Sequence, residues 1–148
     1  MLGVKGEKNM RNTLYIVWND NSNLGISIID EQHRAIVSTI NSLHYFIQIG
    51  HGNEIIKPTM IMLEQYITVH FKTEEALMAE ANCSTLDEHI VLHEELLKRT
   101  KNLSIDAKRR KDSDMVLKFL KEWWLYHINK EDRKNIPCLS KLINRGAF

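Results

Sequence analysis

The segment "HFKTEEALM", His70 to Met78, sets a histidine and a glutamate one helical turn apart on a face otherwise made of Leu63, Tyr66, Ile67, Phe71, Leu77 and Met78. "HIVLH" repeats the spacing with His89 and His93. Residues four apart leave a helix on the same side, so each pair offers two donors to a common point. His33 and His127 hold core-facing positions in two further amphipathic segments, and the acids of "HINKED" follow His127. One histidine on an apolar stripe is most simply a hydrogen-bonded core residue. Five of them beside Glu74, every helix contributing at least one, make a core too polar for hydrogen bonds alone. Metal cations would satisfy it.

The donor types narrow the metal. Seven donors exceed the four of a closed zinc site and suit two metals with bridging carboxylates. Imidazole and carboxylate without thiolate are compatible with iron, manganese or zinc, and a pair of irons is the leading expectation. A zinc protease needs H-E-x-x-H, but Ile90 stands at its general-base position. The chain also has no Glu-x-x-His pair of the kind carboxylate-rich di-metal bundles use. The second acid is ambiguous by spacing. Glu131 is one turn on from His127, whereas Asp132 lies five residues on, about 140° round an ideal helix. Periodicity alone selects Glu131.

Four helices must position these donors. The first is expected from about Glu31 to about Ile49, with the stripe His33, Ile36, Val37, Ile40, Leu43, His44 and Ile47. His44 has no donor one turn away and is left out, as is His51 in the "GHGN" break. Asn53 is a candidate cap for the second helix, which tolerates Pro58 only in its first turn and runs to about Glu80. "TLDE" (Thr85 to Glu88) reads as a capping box opening the third. The basic run Lys108 to Lys111 reads as a solvated helix end. A fourth helix from about Ser113 should end before Ile136-Pro137. Short loops make neighbours antiparallel, so the expected fold is all-α, an up-down-up-down four-helix bundle behind an irregular N-terminal arm.

Composition agrees with one helical domain over 1–148, with 1–16 and 137–148 as peripheral tails. Six glycines and two prolines in 148 residues leave little to break helices. A formal net charge of +1 carries no footprint for nucleic acid or a membrane surface. No apolar run is long enough to span a bilayer, and "MLGVKGEKNMRN" lacks the apolar stretch of a signal peptide. Cys83 and Cys138 fit no metal or redox spacing, which favours free thiols in the cytoplasm.

"IDEQH" (Ile29 to His33), "HFKTEEALM", "HIVLH" and "WWLYHINKED" (Trp123 to Asp132), in this order and spacing, resemble the hemerythrins, particularly the bacterial ones. The resemblance runs from about Val17 to about Ile136. It implies a non-haem di-iron site with His89, His93 and His127 on one iron and His33 and His70 on the other. Glu74 and Asp132 would bridge them, beside a solvent-derived oxo or hydroxo group. The family pattern thus prefers Asp132 to Glu131, which a helix loosening ahead of Pro137 would reconcile with the spacing.

The resemblance further implies reversible binding of dioxygen at the iron with two histidines, with azide and other small anions as analogues. It places Ile36, Phe71, Trp123, Trp124 and Ile128 around that open position. Each of these is equally an ordinary core residue by spacing, and Trp124 departs from the family's usual leucine. Oxygen storage or delivery is the expected role. An oxygen or redox sensor acting on a protein partner is the alternative, with "CLSKLINRGAF" as a linker. A peroxidase, oxidase or nitric-oxide-handling enzyme ranks lowest, because no general acid, nucleophile or substrate cleft is visible.

Overall fold

The computed structural model describes residues 14–144, within which the side chains of residues 124, 125 and 144 lie outside the description. The described residues are helical, without a strand. After a 3₁₀ turn at Asp20–Ser22 come α1 (Ser27–Gln48), α2 (Gly52–Glu80), α3 (Leu86–Arg110) and α4 (Ser113–Trp123). The chain then continues as a π-helix over Trp124–Asp132, turns, and ends in α5 (Ile136–Asn144). α1 packs on α2, α2 on α3, and α4 against all three, while α5 lies on α2. Among the described residues no helix is long and apolar enough to cross a membrane.

Local chemistry moves several boundaries from those expected. α1 begins four residues before Glu31 because the Asp30 carboxylate reaches back to the entering chain. It accepts the Leu24 N–H at 2.7 Å and the Gly25 N–H at 3.1 Å, where Gly25 takes a φ of +93°. Ile26 and Ile29 are buried beneath that fold-back. Gly50, at φ +82°, makes the turn into α2. Asn53 is no cap: it lies inside α2, and its side-chain oxygen accepts the Ser113 N–H at 3.3 Å. Pro58 sits in the second turn rather than the first, where it and Glu54, whose carbonyl loses its helical partner, are both exposed.

The expected capping box at Thr85 does not form. That hydroxyl makes no cap bond and donates instead to Asn135 Oδ1 at 3.4 Å. The basic run does close α3, with Lys108, Arg109 and Arg110 in its last turn and Lys111 left-handed at φ 52°. The larger correction is at the C-terminal side. Residues 136–144 are no peripheral tail, because α5 buries Leu139 and Leu142. Cys138 forms a disulfide with Cys83, 55 residues away, where free thiols were expected. The cytoplasmic placement loses the support it drew from those thiols.

Two apolar clusters result. The larger gathers Ile36, Ile40, Leu63, Ile67, Phe71, Leu96, Leu120, Trp123 and Ile128 among others. The smaller gathers Ile26, Ile29, Met78, Cys83, Leu139 and Leu142. Along α1 the sequence passes from Ile29 to Ile36 through His33, and along α2 from Phe71 to Met78 through Glu74. The polar residues therefore form a layer between two apolar ones.

Candidate metal centre

α1, α2, α3 and the π-helical segment send donors into that layer. His33 comes from α1, His70 and Glu74 from α2, His89 and His93 from α3, and His127 and Asp132 from the π-helical segment; all seven are buried. The last pair explains itself physically. A π-helix bonds residue i to i+5, so His127 and Asp132 share a face that an α-helix would give to His127 and Glu131. Glu131 instead points outward and pairs with Lys134 at 3.0 Å. The segment stays helical through Asp132, but with the wider, underwound π turn in place of an α turn.

The ligand atoms fall into two groups, each with its members within 4.8 Å of one another: His89, His93, His127 and Asp132, and His33, His70 and Asp132. Asp132 belongs to both. Its Oδ2 lies 3.2 Å from His33 Nε2 and 3.1 Å from His70 Nε2, while its Oδ1 lies 3.3 Å from His127 Nε2 and 3.6 Å from His89 Nε2. Glu74 divides itself the same way, with Oε2 3.5 Å from His70 Nε2 and Oε1 against His89 Nε2. Each carboxylate thus turns one oxygen to each group. His44 stays apart with its ring against Tyr15, and His51 pairs with Glu54 at the surface.

The polar atoms here are poorly served by the protein. Both ring nitrogens of His93 and of His127, Glu74 Oε2 and Asp132 Oδ1 are buried without a hydrogen bond, the ion-pair approaches of 3.5 Å to Glu74 Oε2 and 3.3 Å between Asp132 Oδ1 and His127 Nε2 being their nearest substitutes. Leaving one such group unsatisfied costs about 1–3 kcal/mol. Six of them in one layer fit a site built for cations.

Electrostatics points the same way. Burial, with the nearby charge of His89, lowers His93 to about 2, and burial lowers His127 to about 4, so both rings are neutral with lone pairs free. Burial also lowers His33. Burial and the charge of Asp132 raise Glu74 to about 7. Burial would lower His89, but the carboxylates of Asp132 and Glu74 outweigh it and raise the ring to about 9. Burial would raise Asp132, yet His33, His70 and His89 hold it well below the usual carboxylate range. Two acids among mostly neutral imidazoles attract positive charge.

Sequence reasoning missed the groups behind the ligands. Gln32 Oε1 accepts from His70 Nδ1 at 3.0 Å, Gln32 Nε2 donates to Thr73 Oγ1 at 2.9 Å, and that hydroxyl donates to the Val69 carbonyl at 2.8 Å. Because each donor in this chain is assigned, His70 donates from Nδ1, which leaves Nε2 as the atom it turns to the centre. The neighbouring position to His33 was the available signal. Of the expected oxygen-pocket residues, Ile36, Phe71, Trp123 and Ile128 are buried in the larger apolar cluster. Phe71 stacks on His93 at 3.9 Å and Trp123 on His127 at 5.8 Å. The side chain of Trp124 lies outside the described residues. A cleft of about 260 Å³ lined by Leu96, Arg99, Phe119, Trp123 and Tyr126 reaches His127 from the surface.

The family model described as Hemerythrin HHE cation binding domain matches residues 24–139. A bacteriohemerythrin of Stenotrophomonas maltophilia is 32% identical over 133 residues, covering 89% of this chain and 86% of that protein. One of Pseudomonas aeruginosa is 34% identical over 119 residues, covering 80% and 77%. One of Methylococcus capsulatus is 29% identical over 117 residues, covering 78% and 88%.

Proposed function

The chain belongs to the hemerythrin family, and on that premise we propose that it holds two iron ions and binds dioxygen reversibly, for oxygen storage or delivery. The observation that carries this reading is the division of Asp132 and Glu74 between two unequal groups of imidazoles. His89, His93 and His127 would hold one metal and His33 and His70 the other, with Glu74 and Asp132 offering one oxygen to each, within helices proposed to run up-down-up-down. The second group is one imidazole poorer, so a metal held there would keep an open position for a small ligand. When bound, the two irons supply that open position and the electrons that reversible dioxygen binding draws on.

The chain's own residues do the rest. Gln32 holds His70 in the tautomer that can ligate. Ile36, Phe71, Trp123 and Ile128 keep water from the layer, and Trp124 is proposed for the same wall. Binding, not turnover, is the assigned activity.

Elemental analysis of protein from iron-supplied cells should give two irons per chain. The reduced sample should gain visible absorption in air and lose it under vacuum, and azide should perturb the oxidised spectrum. One zinc and no iron overturns the proposal. Iron with a one-way response to air favours the sensor reading instead. Sustained consumption of oxygen, peroxide or nitric oxide with added reductant would make it an enzyme.

A further inference from the structure

Asn135 belongs to neither donor group, yet it is 6% exposed and sits against both acid and ring of the centre. It stands on the turn between the π-helical segment and α5, three residues after Asp132 and three before Cys138. Its Oδ1 accepts from the Thr85 hydroxyl at 3.4 Å. Its Nδ2 donates to Glu74 Oε1 at 3.4 Å and lies 3.4 Å from His89 Nδ1 and 3.5 Å from His89 Nε2. The amide has one sensible orientation. Flipped, it would set its oxygen against a carboxylate oxygen, two acceptors with no proton between them.

Those contacts join three elements, since Glu74 is on α2, His89 on α3 and Asn135 just before α5. The outer side is fastened as well. The Cys83–Cys138 disulfide ties the α2–α3 turn to α5, two residues from Thr85 and three from Asn135. Thr85 gives up its capping role for this bond. Resting on the di-iron reading above, we propose that Asn135 is a positioning residue of the metal centre: its side-chain amide orients the Glu74 carboxylate, and with it the His89 ring, toward the metals. Groups behind metal ligands typically contribute tenfold to a hundredfold in metal affinity.

The test uses the full chain loaded with iron and two variants. Asn135→Leu keeps the volume and loses the donor, while Asn135→Asp keeps the shape and replaces the donor by an acceptor. Three quantities are measured: the rate at which excess chelator extracts iron, the azide-complex absorption, and the melting temperature of the metal-free protein. Both variants should lose iron about tenfold faster or more, Asn135→Asp the faster, with a shifted azide band. Metal-free melting should stay within a few degrees of the parent. Extraction at the parent's rate overturns the proposal, as does acceleration that merely tracks a lowered metal-free melting temperature. If Asn135→Leu does not fold, Asn135→Asp decides alone, and failure of both to fold makes the role structural and overturns it too. A parent that takes up no iron refutes the di-iron reading itself, and is distinguished because the defect then appears before any substitution.

Discussion

Asp132 is 2% exposed with its two oxygens turned to different groups of imidazoles, while its neighbour Glu131 lies outside the centre in a pair with Lys134. Their roles can therefore be separated by equally small changes. Asp132→Asn removes the charge of the proposed bridging group and leaves an amide whose nitrogen donates where a metal would need an acceptor. It should cost most of the bound iron, or abolish the azide spectrum of what remains. Glu131→Gln loosens a surface ion pair worth about 0–1 kcal/mol and should leave iron content and spectrum near those of the parent. Iron analysis of both variants checks this, and the reverse pattern would place the bridge on Glu131 and the helix in α form. Gln32 and Asn135 show that a ligand's neighbours matter at the same scale: one sets a tautomer, the other an orientation.

At the scale of elements, the π-helical Trp124–Asp132 and the disulfide do what no single ligand does. The π turn admits one residue more per hydrogen-bonded ring than an α turn, which puts His127 and Asp132 on one face. Such geometry is less favourable than α and persists where tertiary contacts select it. The disulfide spans 55 residues and constrains a large loop in the unfolded chain. In the chain-entropy account it is worth about 4 kcal/mol, roughly ten degrees in melting temperature for a chain of this size. The double variant Cys83→Ser, Cys138→Ser should melt lower by about that amount, with unchanged helical content by circular dichroism. Thiol titration of the denatured, unreduced protein should find no free thiol. Two free thiols would mean that the pair is not joined in the purified protein.

The whole molecule is a polar layer held between two apolar clusters, and its stability should depend on metals accordingly. Removing them leaves six polar atoms of Glu74, His93, His127 and Asp132 buried without hydrogen-bond partners. A ligand bound to the folded state alone, at about a thousand times its dissociation constant, adds roughly 4 kcal/mol. Chelation should therefore lower the melting temperature by about ten degrees or more, read by calorimetry with and without added iron. Most helical signal should survive, because the apolar clusters do not include the donors. An unchanged melting temperature would show that the layer is satisfied without cations.

The sequence by itself determined the helices and most of the candidate donor set, because both are written in short-range periodicity. A 3–4 spacing of apolar residues specifies a buried face, and a histidine on that face must point where the face points, so His33, His70, Glu74, His89, His93 and His127 were legible one helix at a time. Asp132 was not legible by that rule. An α period selects Glu131, family resemblance alone favoured Asp132, and it is the π turn of the folded chain that sets Asp132 rather than Glu131 beside the other donors. The start of α1 was hidden because Asp30 bonds backward to Leu24 and Gly25. The pairing of Cys83 with Cys138, the burial of Leu139 and Leu142, and the bond from Thr85 to Asn135 were hidden for a related reason. Each joins residues dozens of positions apart, and local spacing carries no information about which distant segment will arrive beside it.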